Sequence, residues 1–290
     1  MNRTTIVKTY KLWVGGAFVR SESGRAYPVR NAQGAFWANA PQASRKDLRD
    51  AIQAARNAQS SWARRAAYNR GQILYRVAEM LETRRAAMRD ELQAVLDISP
   101  HDANAQIDAS IDRWVYYAGW SDKFAAVLSA VNPVAMPMHN FTVPEPMGVV
   151  GIVCPREAPL ASLSSLIAPA IVSGNTVVAL LPEDVPTVGL AFAEVLATSD
   201  LPAGVVNLLS GSVSELLPHL AAHRGVDALN LCGASEQARA TLEQAAAETI
   251  TRLHHSPRLT PNEWCSDDAQ GLHWMEPYLE FKTVWHPLGW

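Results

Sequence analysis

The apolar positions of residues 145–186 follow the order of a strand, a helix and a second strand. An apolar run at 147–154 stops at a proline-containing turn, a second apolar segment follows, Gly174 and Asn175 interrupt it, and a β-branched run covers 176–181. This succession predicts one βαβ crossover. Both strands are continuously apolar, which is typical of a parallel sheet that helices cover on both faces.

The same rhythm continues towards the carboxyl end of the chain. Apolar periodicity predicts alternating helices and strands at 187–198, 204–209, 212–223, 226–232 and 235–247. Together with the first crossover these segments make four βα units. The sequence therefore predicts an α/β fold with a doubly wound, Rossmann-like sheet.

The residues before this region are predicted to form short strands followed by helices. Alternating positions at 10–40 predict short antiparallel strands at the surface. Ser44 and Asp47 have the spacing of a capping box and predict a helix start. Apolar residues at helical spacing then predict further amphipathic helices, in which the aromatic side chains are expected in the core, at 68–83, 85–97 and 103–129.

Two segments depart from this rhythm and one strand-like run ends the chain. Residues 131–144 contain three prolines, which argue against a central strand and favour an exposed edge hairpin. Residues 254–274 are polar and rich in turn-forming residues, so we expect an irregular segment there. Residues 279–286 again have the composition of a strand.

Composition narrows the class of protein. The 290 residues are 48% hydrophobic, enough for a large core, and the net charge of −3 without a basic run argues against nucleic-acid binding. The chain shows no signal peptide at its start, and no apolar run reaches the roughly 18 residues of a membrane span. Three widely spaced cysteines indicate neither a disulfide framework nor a zinc site. We expect a cytoplasmic protein in a reducing compartment.

Metal and hydrolase chemistry have little support in the sequence. His254 and His255 are adjacent, so their side chains diverge, and no acidic or cysteine partner lies at ligand spacing. We therefore predict no metal site and a surface loop at this position. The serines at 162, 164 and 165 lack the G-x-S-x-G context of a nucleophile elbow.

Six segments, in order, carry a resemblance to a known family. They are KLWVGGAFV, YYAGWSDK, EPMGVVGIVCP, LIAPAIVSGNTVVAL, DLPAGVVNLLSG and VDALNLCGASE. Together they resemble the coenzyme-domain half of the aldehyde dehydrogenase superfamily. MEPYLEFKTVWHPLG near the chain end resembles the C-terminal oligomerisation strand of that family.

The resemblance also implies that a domain is missing. In the family a complete catalytic domain separates the last coenzyme-domain helix from the oligomerisation strand, whereas here about twenty irregular residues do so, far fewer than a domain needs. This arrangement is most similar to the degenerate second, C-terminal region of the family-16 enzymes. The expected division is N-terminal strands and helices at 1–130, an oligomerisation hairpin at 131–144, Rossmann-like units at 145–253, a linker in place of the catalytic domain at 254–274 and the oligomerisation strand at 275–290.

The family's chemistry needs three groups: a cysteine thiolate, an asparagine amide for the oxyanion and a glutamate base. At the position of the asparagine this chain has Glu157, which cannot donate a hydrogen bond when ionised. Thr251 stands where the glutamate is expected and cannot act as a base near neutral pH. Cys265 lacks the nucleophile's sequence context, and two neighbouring aspartates disfavour a thiolate. No catalytic residue is predicted.

The resemblance leaves a reduced coenzyme site. The ribose-binding lysine of the family corresponds to Leu180, while its glutamate is retained as Glu183. Of the family's Gly-Ser-Thr-x-x-Gly turn, the first glycine is retained as Gly233, whereas the phosphate-facing serine and the second glycine are replaced by Ala234 and Ala238. Ser235 follows Ala234, and a helix N-terminus there still offers N–H groups to a phosphate. Glu183, Gly233 and Ser235 are thus the candidate NAD(P)-binding residues, with acidic neighbours that argue for a vestigial site. The expected state is without a cofactor, and NAD(P) binding is the alternative.

These observations predict a non-catalytic protein that acts in homo- or hetero-oligomerisation. Its expected partner is a second copy or a catalytic aldehyde dehydrogenase, bound through 131–144 and 279–286. One alternative is an NAD(P)-dependent oxidoreductase that acts on aldehydes only within a complex. Another is a regulator that senses NAD.

Overall fold

The computed structural model describes residues 7–288, without the side chains of residues 236, 238 and 239. The outermost parts of the predicted 1–130 and 275–290 segments, residues 1–6 and 289–290, lie outside the described residues. Two hairpins open the described chain: β1 (Leu12–Val14) with β2 (Ala17–Val19), and β3 (Ala26–Arg30) with β4 (Phe36–Pro41). The expected surface location is wrong for β1, because Leu12 and Trp13 are buried and Trp13 pairs with a strand of the main sheet.

Five helices follow. They are α1 (Arg45–Ala63), α2 (Ala67–Thr83), α3 (Arg85–Leu96), α4 (Pro100–Trp120) and α5 (Phe124–Leu128). The predicted capping box is confirmed, since the Ser44 side chain accepts from the Asp47 N–H and the Asp47 carboxylate accepts from the Ser44 N–H. The helix predicted over 103–129 is two helices, because the chain turns between Trp120 and Phe124.

The predicted hairpin at 131–144 is formed by β5 (Ala130–Asn132) and β6 (Met138–Pro146). Two residues separate β6 from the alternating strands and helices of the main sheet. These are β7 (Val149–Val153), α6 (Pro159–Val172), β8 (Thr176–Leu180), α7 (Pro186–Leu196), β9 (Val206–Leu209), α8 (Val213–Ala221), β10 (Ala228–Asn230), α9 (Glu236–Ala247) and β11 (Arg252–His254). Every residue of β7, α6 and β8 is buried, as the continuous apolar pattern requires.

The main sheet has seven strands in the order β11-β10-β7-β8-β9-β1-β2. The five strands from β11 to β9 are parallel, and β1 and β2 extend the sheet with antiparallel pairing. This confirms the predicted doubly wound, Rossmann-like α/β fold. The strand β11 was not predicted, because three residues are too short for a periodic pattern.

Residues 254–274 differ from the irregular surface segment that we expected. They contain α10 (Pro261–Trp264) and two short 3₁₀ helices (Asp267–Ala269 and Leu272–Trp274), and a third 3₁₀ helix (Glu276–Tyr278) leads into β12 (Leu279–Pro287). Trp264 and Trp274 are buried, with ring centroids 5.6 Å apart. Because two tryptophans are buried, this segment is part of the core. Its mostly polar composition gave no sign of this in the sequence.

The last strand joins the hairpin in a separate three-stranded sheet, in the order β12-β6-β5. Strand β12 pairs antiparallel with β6 from Leu279 opposite Pro146 to Pro287 opposite Met138. The expectation that the proline-containing segment is not a central strand is therefore wrong for β6. Pro144 is tolerated because β5 pairs only with residues up to Thr142, so the strand has one neighbour at the proline.

Candidate functional site

A cleft lies at the carboxyl ends of β7 and β10. In the sheet order the connections after β7 run to one side, to β8 and β9, while β10 and β11 lie on its other side. Ligands of open α/β sheets bind where the strand order reverses in this way. The cleft has a volume of about 530 Å³. Its lining residues come from the loops after β7, β10 and β11: 155–157, 232–235, 258–261 and Trp264.

Gly233 and Ser235 meet in this cleft. The Gly233 N–H donates to the Val153 carbonyl at 2.9 Å, and a Cβ at this position would lie 2.4 Å from the Cys154 carbonyl oxygen. The close approach of the two loops therefore requires glycine. Ser235 is the N-cap residue of α9, and its side chain makes no capping hydrogen bond. The N-terminus of a twelve-residue helix thus opens towards the cleft.

The opposite wall of the cleft is charged. Arg156 and Glu157 follow β7 and are both exposed. The Arg156 guanidinium donates to the Asp184 carboxylate at the start of the loop before α7. Glu157 faces the cleft that Gly233 and Ser235 line, so a carboxylate stands in the mouth of the cleft.

Glu183 does not lie in this cleft. It lines a neighbouring depression of about 360 Å³ together with Arg156, Asp184 and residues of the β3 hairpin. Its carboxylate accepts a hydrogen bond from the Val213 N–H at the start of α8. Leu180 is buried and belongs to the apolar cluster under the sheet. The structure therefore brings Gly233 and Ser235 together and places Glu183 in an adjacent cleft, with Arg156 lining both.

Thr251 lies away from the cleft, in the turn that leads into β11. Its side chain is buried, and its hydroxyl donates to the Val226 carbonyl at 3.0 Å and lies 2.8 Å from the Thr249 hydroxyl. Hydrogen bonds of this kind satisfy a buried polar group and hold the turn between α9 and β11.

The cysteines are placed differently from one another. Cys154 is buried, and burial, with a smaller contribution from Cys232, raises the pKa of its thiol. Burial also raises the pKa of Cys265, which follows α10. Cys232 lines the cleft, and its thiol lies 4.0 Å from the Pro257 carbonyl oxygen. A raised pKa leaves Cys154 and Cys265 less of the nucleophilic thiolate than an ordinary cysteine has.

Sequence patterns did not identify the third wall, which consists of Arg258, Leu259 and Trp264. The Arg258 guanidinium donates to the Ala234 carbonyl at 3.3 Å and joins this wall to the α9 loop. Trp264 is 1% exposed, and its indole N–H has no hydrogen-bond partner among the described residues. Only the folding of residues 254–274 onto the sheet edge brings these side chains to the cleft. The one signal in the sequence is the capping box of Thr260 and Glu263.

The fold is that of one protein family. The sequence profile of the aldehyde dehydrogenase family matches residues 18–256, and the chain belongs to that family. It is 31% identical over 266 residues to cytosolic 10-formyltetrahydrofolate dehydrogenase of Pongo abelii, which covers 87% of this chain and 29% of the relative. It is 32% identical over 253 residues to retinal dehydrogenase 2 of Homo sapiens, covering 85% of this chain and 48% of the relative.

Solved structures agree with this assignment. An NAD+ complex of aldehyde dehydrogenase from Bacillus cereus superposes with a TM-score of 0.79 at 26% identity, over 86% of this chain and 50% of that one. A betaine aldehyde dehydrogenase from Staphylococcus aureus in complex with NAD+ shares the fold, with a TM-score of 0.80 at 24% identity, over 85% of this chain and 50% of that one. The chain thus spans about half the length, or less, of these relatives.

Residues 7–288 lack two further features. No helix in that range is long and apolar enough to cross a membrane. No three histidine, cysteine, aspartate or glutamate side chains of the described part of the chain form a group that could hold a metal ion.

Proposed function

We propose that this aldehyde dehydrogenase family member is non-catalytic and acts in homo- or hetero-oligomerisation, the hetero partner being a full aldehyde dehydrogenase. The observation that carries the proposal is the three-stranded sheet β12-β6-β5. On its edge strand β12, the Phe281 side chain is 48% exposed and the Trp285 side chain is 54% exposed. An exposed edge strand of nine residues that carries two exposed aromatic side chains promotes aggregation unless another chain covers it.

The loss of chemistry is part of the proposal. Glu157 occupies the position of the oxyanion donor, where an ionised carboxylate would repel the developing negative charge. The Thr251 hydroxyl is engaged in the turn before β11, away from the cleft. The residues between β11 and β12 are too few to form a catalytic domain, and they fold against the core instead. This supports the likeness to the degenerate second region of family-16 enzymes.

The residues at the family's coenzyme-binding positions do not fit the coenzyme of the family. Leu180 is buried and apolar where a ribose-binding lysine would stand, and the Glu183 carboxylate is bonded to the Val213 N–H. Glu157 adds negative charge to the mouth in which a pyrophosphate would lie. We infer that the protein works without a cofactor and that the coenzyme site is vestigial.

The test is the mass of the protein in solution, alone and after co-expression with a catalytic aldehyde dehydrogenase. We expect an oligomer in at least one of the two samples. Replacing both aromatic residues, Phe281→Ser with Trp285→Ser, should shift the mass towards the monomer without changing the circular dichroism spectrum. Phe36→Ser is the matched control, because Phe36 is 53% exposed but lies on β4, outside the three-stranded sheet.

The proposal would be overturned if the protein had the mass of a monomer in both samples and did not bind the dehydrogenase. It would also be overturned by an oligomer that the double substitution and Phe36→Ser weaken equally, since association would then not depend on β12.

The cleft favours one alternative, an NAD(P)-dependent oxidoreductase that acts on aldehydes within a complex. The supporting observation is the open N-terminus of α9 at the point where the strand order reverses. Calorimetric titration with millimolar NAD+ and NADH tests it, and Glu183→Ala should then weaken binding. Binding without aldehyde turnover would indicate an NAD-sensing regulator instead. Absence of heat would exclude both alternatives and agree with the proposal.

A further inference from the structure

The outer edge of β12 can pair with a further strand. Strand β12 pairs with β6 along all of its nine residues, and within residues 7–288 no strand lies on its other side. The opposite edge of this sheet is β5, which has only three residues. The longer edge therefore offers three times as many backbone positions to a partner. The following inference rests on the proposed function, because it specifies how the sheet associates.

The charged side chains of β12 already have partners within the chain. Arg252 donates to the Glu280 carboxylate at 2.6 Å, and Lys282 lies 3.2 Å from the Glu145 carboxylate. Both pairs lie on one face of the sheet, since Glu280 and Lys282 are two positions apart. Phe281, Thr283 and Trp285 lie on the other face. A partner strand therefore needs to supply no compensating charge to β12.

Antiparallel geometry restricts how two copies of β12 can pair. Along an edge strand every second residue directs its N–H and C=O away from the sheet, towards a possible partner strand. In an antiparallel pair, two residues that lie directly opposite each other either both direct these groups at the other strand or both direct them away from it. Two identical strands related by a two-fold axis must then have the axis at a residue. The candidates near the middle of β12 are Lys282, Thr283 and Val284.

Comparison of the three registers favours Thr283. An axis at Lys282 would place two like charges directly opposite each other, which is destabilising. An axis at Val284 would shift the strands and leave the first residues of β12 unpaired. With the axis at Thr283 all nine residues pair, Phe281 lies opposite the partner's Trp285, and two threonines meet at the centre. Aromatic pairs and Thr–Thr pairs are both favourable across strands.

We propose that β12 pairs antiparallel with β12 of a second copy of this chain, about a two-fold axis at Thr283. The two three-stranded sheets then form one six-stranded sheet. Two Phe281–Trp285 contacts, one on each side of the axis, cover the aromatic side chains that are exposed in the single chain. The pairing is isologous, so it closes at a dimer and removes both nine-residue edges.

A cysteine scan tests the register. Thr283→Cys, made together with Cys265→Ser to remove a partly exposed thiol, should give a disulfide-linked dimer on mild oxidation. Opposite residues of antiparallel strands have Cα atoms about 4.5–5.5 Å apart, within the range of a disulfide. Lys282→Cys and Val284→Cys should each cross-link poorly alone, because their own copies are offset diagonally, but should cross-link when the two variants are mixed. Val131→Cys, which is 73% exposed on the β5 edge before substitution, is the matched control and should stay unlinked.

Four results decide between the proposals. Efficient cross-linking of Thr283→Cys with unlinked Val131→Cys supports the inference. A dimer by mass that cross-links through Val131→Cys, Lys282→Cys alone or Val284→Cys alone overturns the register and leaves self-association standing. A monomer that binds a catalytic aldehyde dehydrogenase overturns the inference but not the proposed function. A protein that stays monomeric and does not bind a catalytic aldehyde dehydrogenase overturns both the inference and the proposed function.

Discussion

At the scale of single residues, the position of His254 predicts how stability depends on pH. His254 ends β11, is half-buried, and its ring lies edge-on to Tyr278 at 6.1 Å between centroids. Burial, and secondarily the neighbouring His255, lower the pKa of the His254 imidazole. The folded protein therefore binds this proton less readily than the unfolded chain does.

The free energy of unfolding should consequently fall on acidification. As the pH drops through about 6.5, the ordinary histidine value, the unfolded chain takes up a proton that folded His254 does not. The loss should level off below the lowered pKa, where both states are protonated. Urea denaturation between pH 5 and 8 measures the effect. His254→Gln should reduce the slope, whereas His101→Gln, at an exposed position in α4, should not. Equal slopes in the three proteins would contradict the assignment.

Residue patterns also show what local chemistry can predict. The residue types at 157, 180 and 251 can be compared with the family's motifs from the sequence alone. That Glu183 lies in a different cleft from Gly233 was not predictable in this way, because it depends on β7 lying between β8 and β10, the strands that the two loops follow. Distances between loops depend on strand order, which no local pattern contains.

At the scale of elements, Arg113 of α4 holds the segment between β11 and β12. Its guanidinium is buried and donates to the carbonyls of Trp264 (3.4 Å), Ser266 and Ala269 (3.2 Å), and to the Gln270 side chain (3.0 Å). One side chain thus satisfies three backbone carbonyls of a segment with little regular secondary structure.

Arg113→Met should therefore release this segment. Removing the donor leaves buried carbonyls without partners, so we expect a loss of about 2–4 kcal/mol in the free energy of unfolding. Hydrogen exchange of the amides at 261–278 should accelerate more than exchange in β7 and β8. Arg89→Met is the control, since Arg89 lies on α3 and pairs only with the adjacent Asp90 among the described ion pairs. Uniform acceleration over the whole chain would show a general destabilisation instead.

The sequence predicted the elements of the Rossmann-like part well because each has a long, periodic apolar pattern. It predicted residues 254–278 poorly. The apolar residues there, including Trp264 and Trp274, are isolated among polar residues, and the segment packs against α4 and α6, which are far away in sequence.

At the scale of the whole molecule, Asn175 joins the main sheet to the three-stranded sheet. Its side-chain oxygen accepts from the Gly148 N–H at 2.8 Å, and its amide nitrogen donates to the carbonyls of Ala170 (3.1 Å) and Tyr278 (2.9 Å). Gly148 lies between β6 and β7, and Tyr278 immediately precedes β12. One buried amide thus connects the start of β7, the last turn of α6 and the start of β12.

Asn175→Ala should destabilise this junction by about 2–4 kcal/mol, because it leaves several buried backbone groups unsatisfied. Urea denaturation measures the loss, and cross-linking through Thr283→Cys reports whether β12 stays in place. Ser173→Ala is the control: it removes the hydroxyl that contacts Ala170 and Asn175, and it should cost about 1 kcal/mol. Equal losses in the two variants would contradict the role of the Asn175 amide.

The sequence alone determined the βα rhythm of residues 145–247, the capping box of α1 and the residue types at the family's chemical positions, because each depends on neighbours within a few turns. Only the tertiary structure decided three other features. It placed β6 at the centre of a sheet, folded residues 254–278 against the core so that 258–261 and Trp264 line the cleft, and left the β12 edge exposed. These features depend on pairing between segments far apart in sequence, and such pairing is set by the packing of the whole chain.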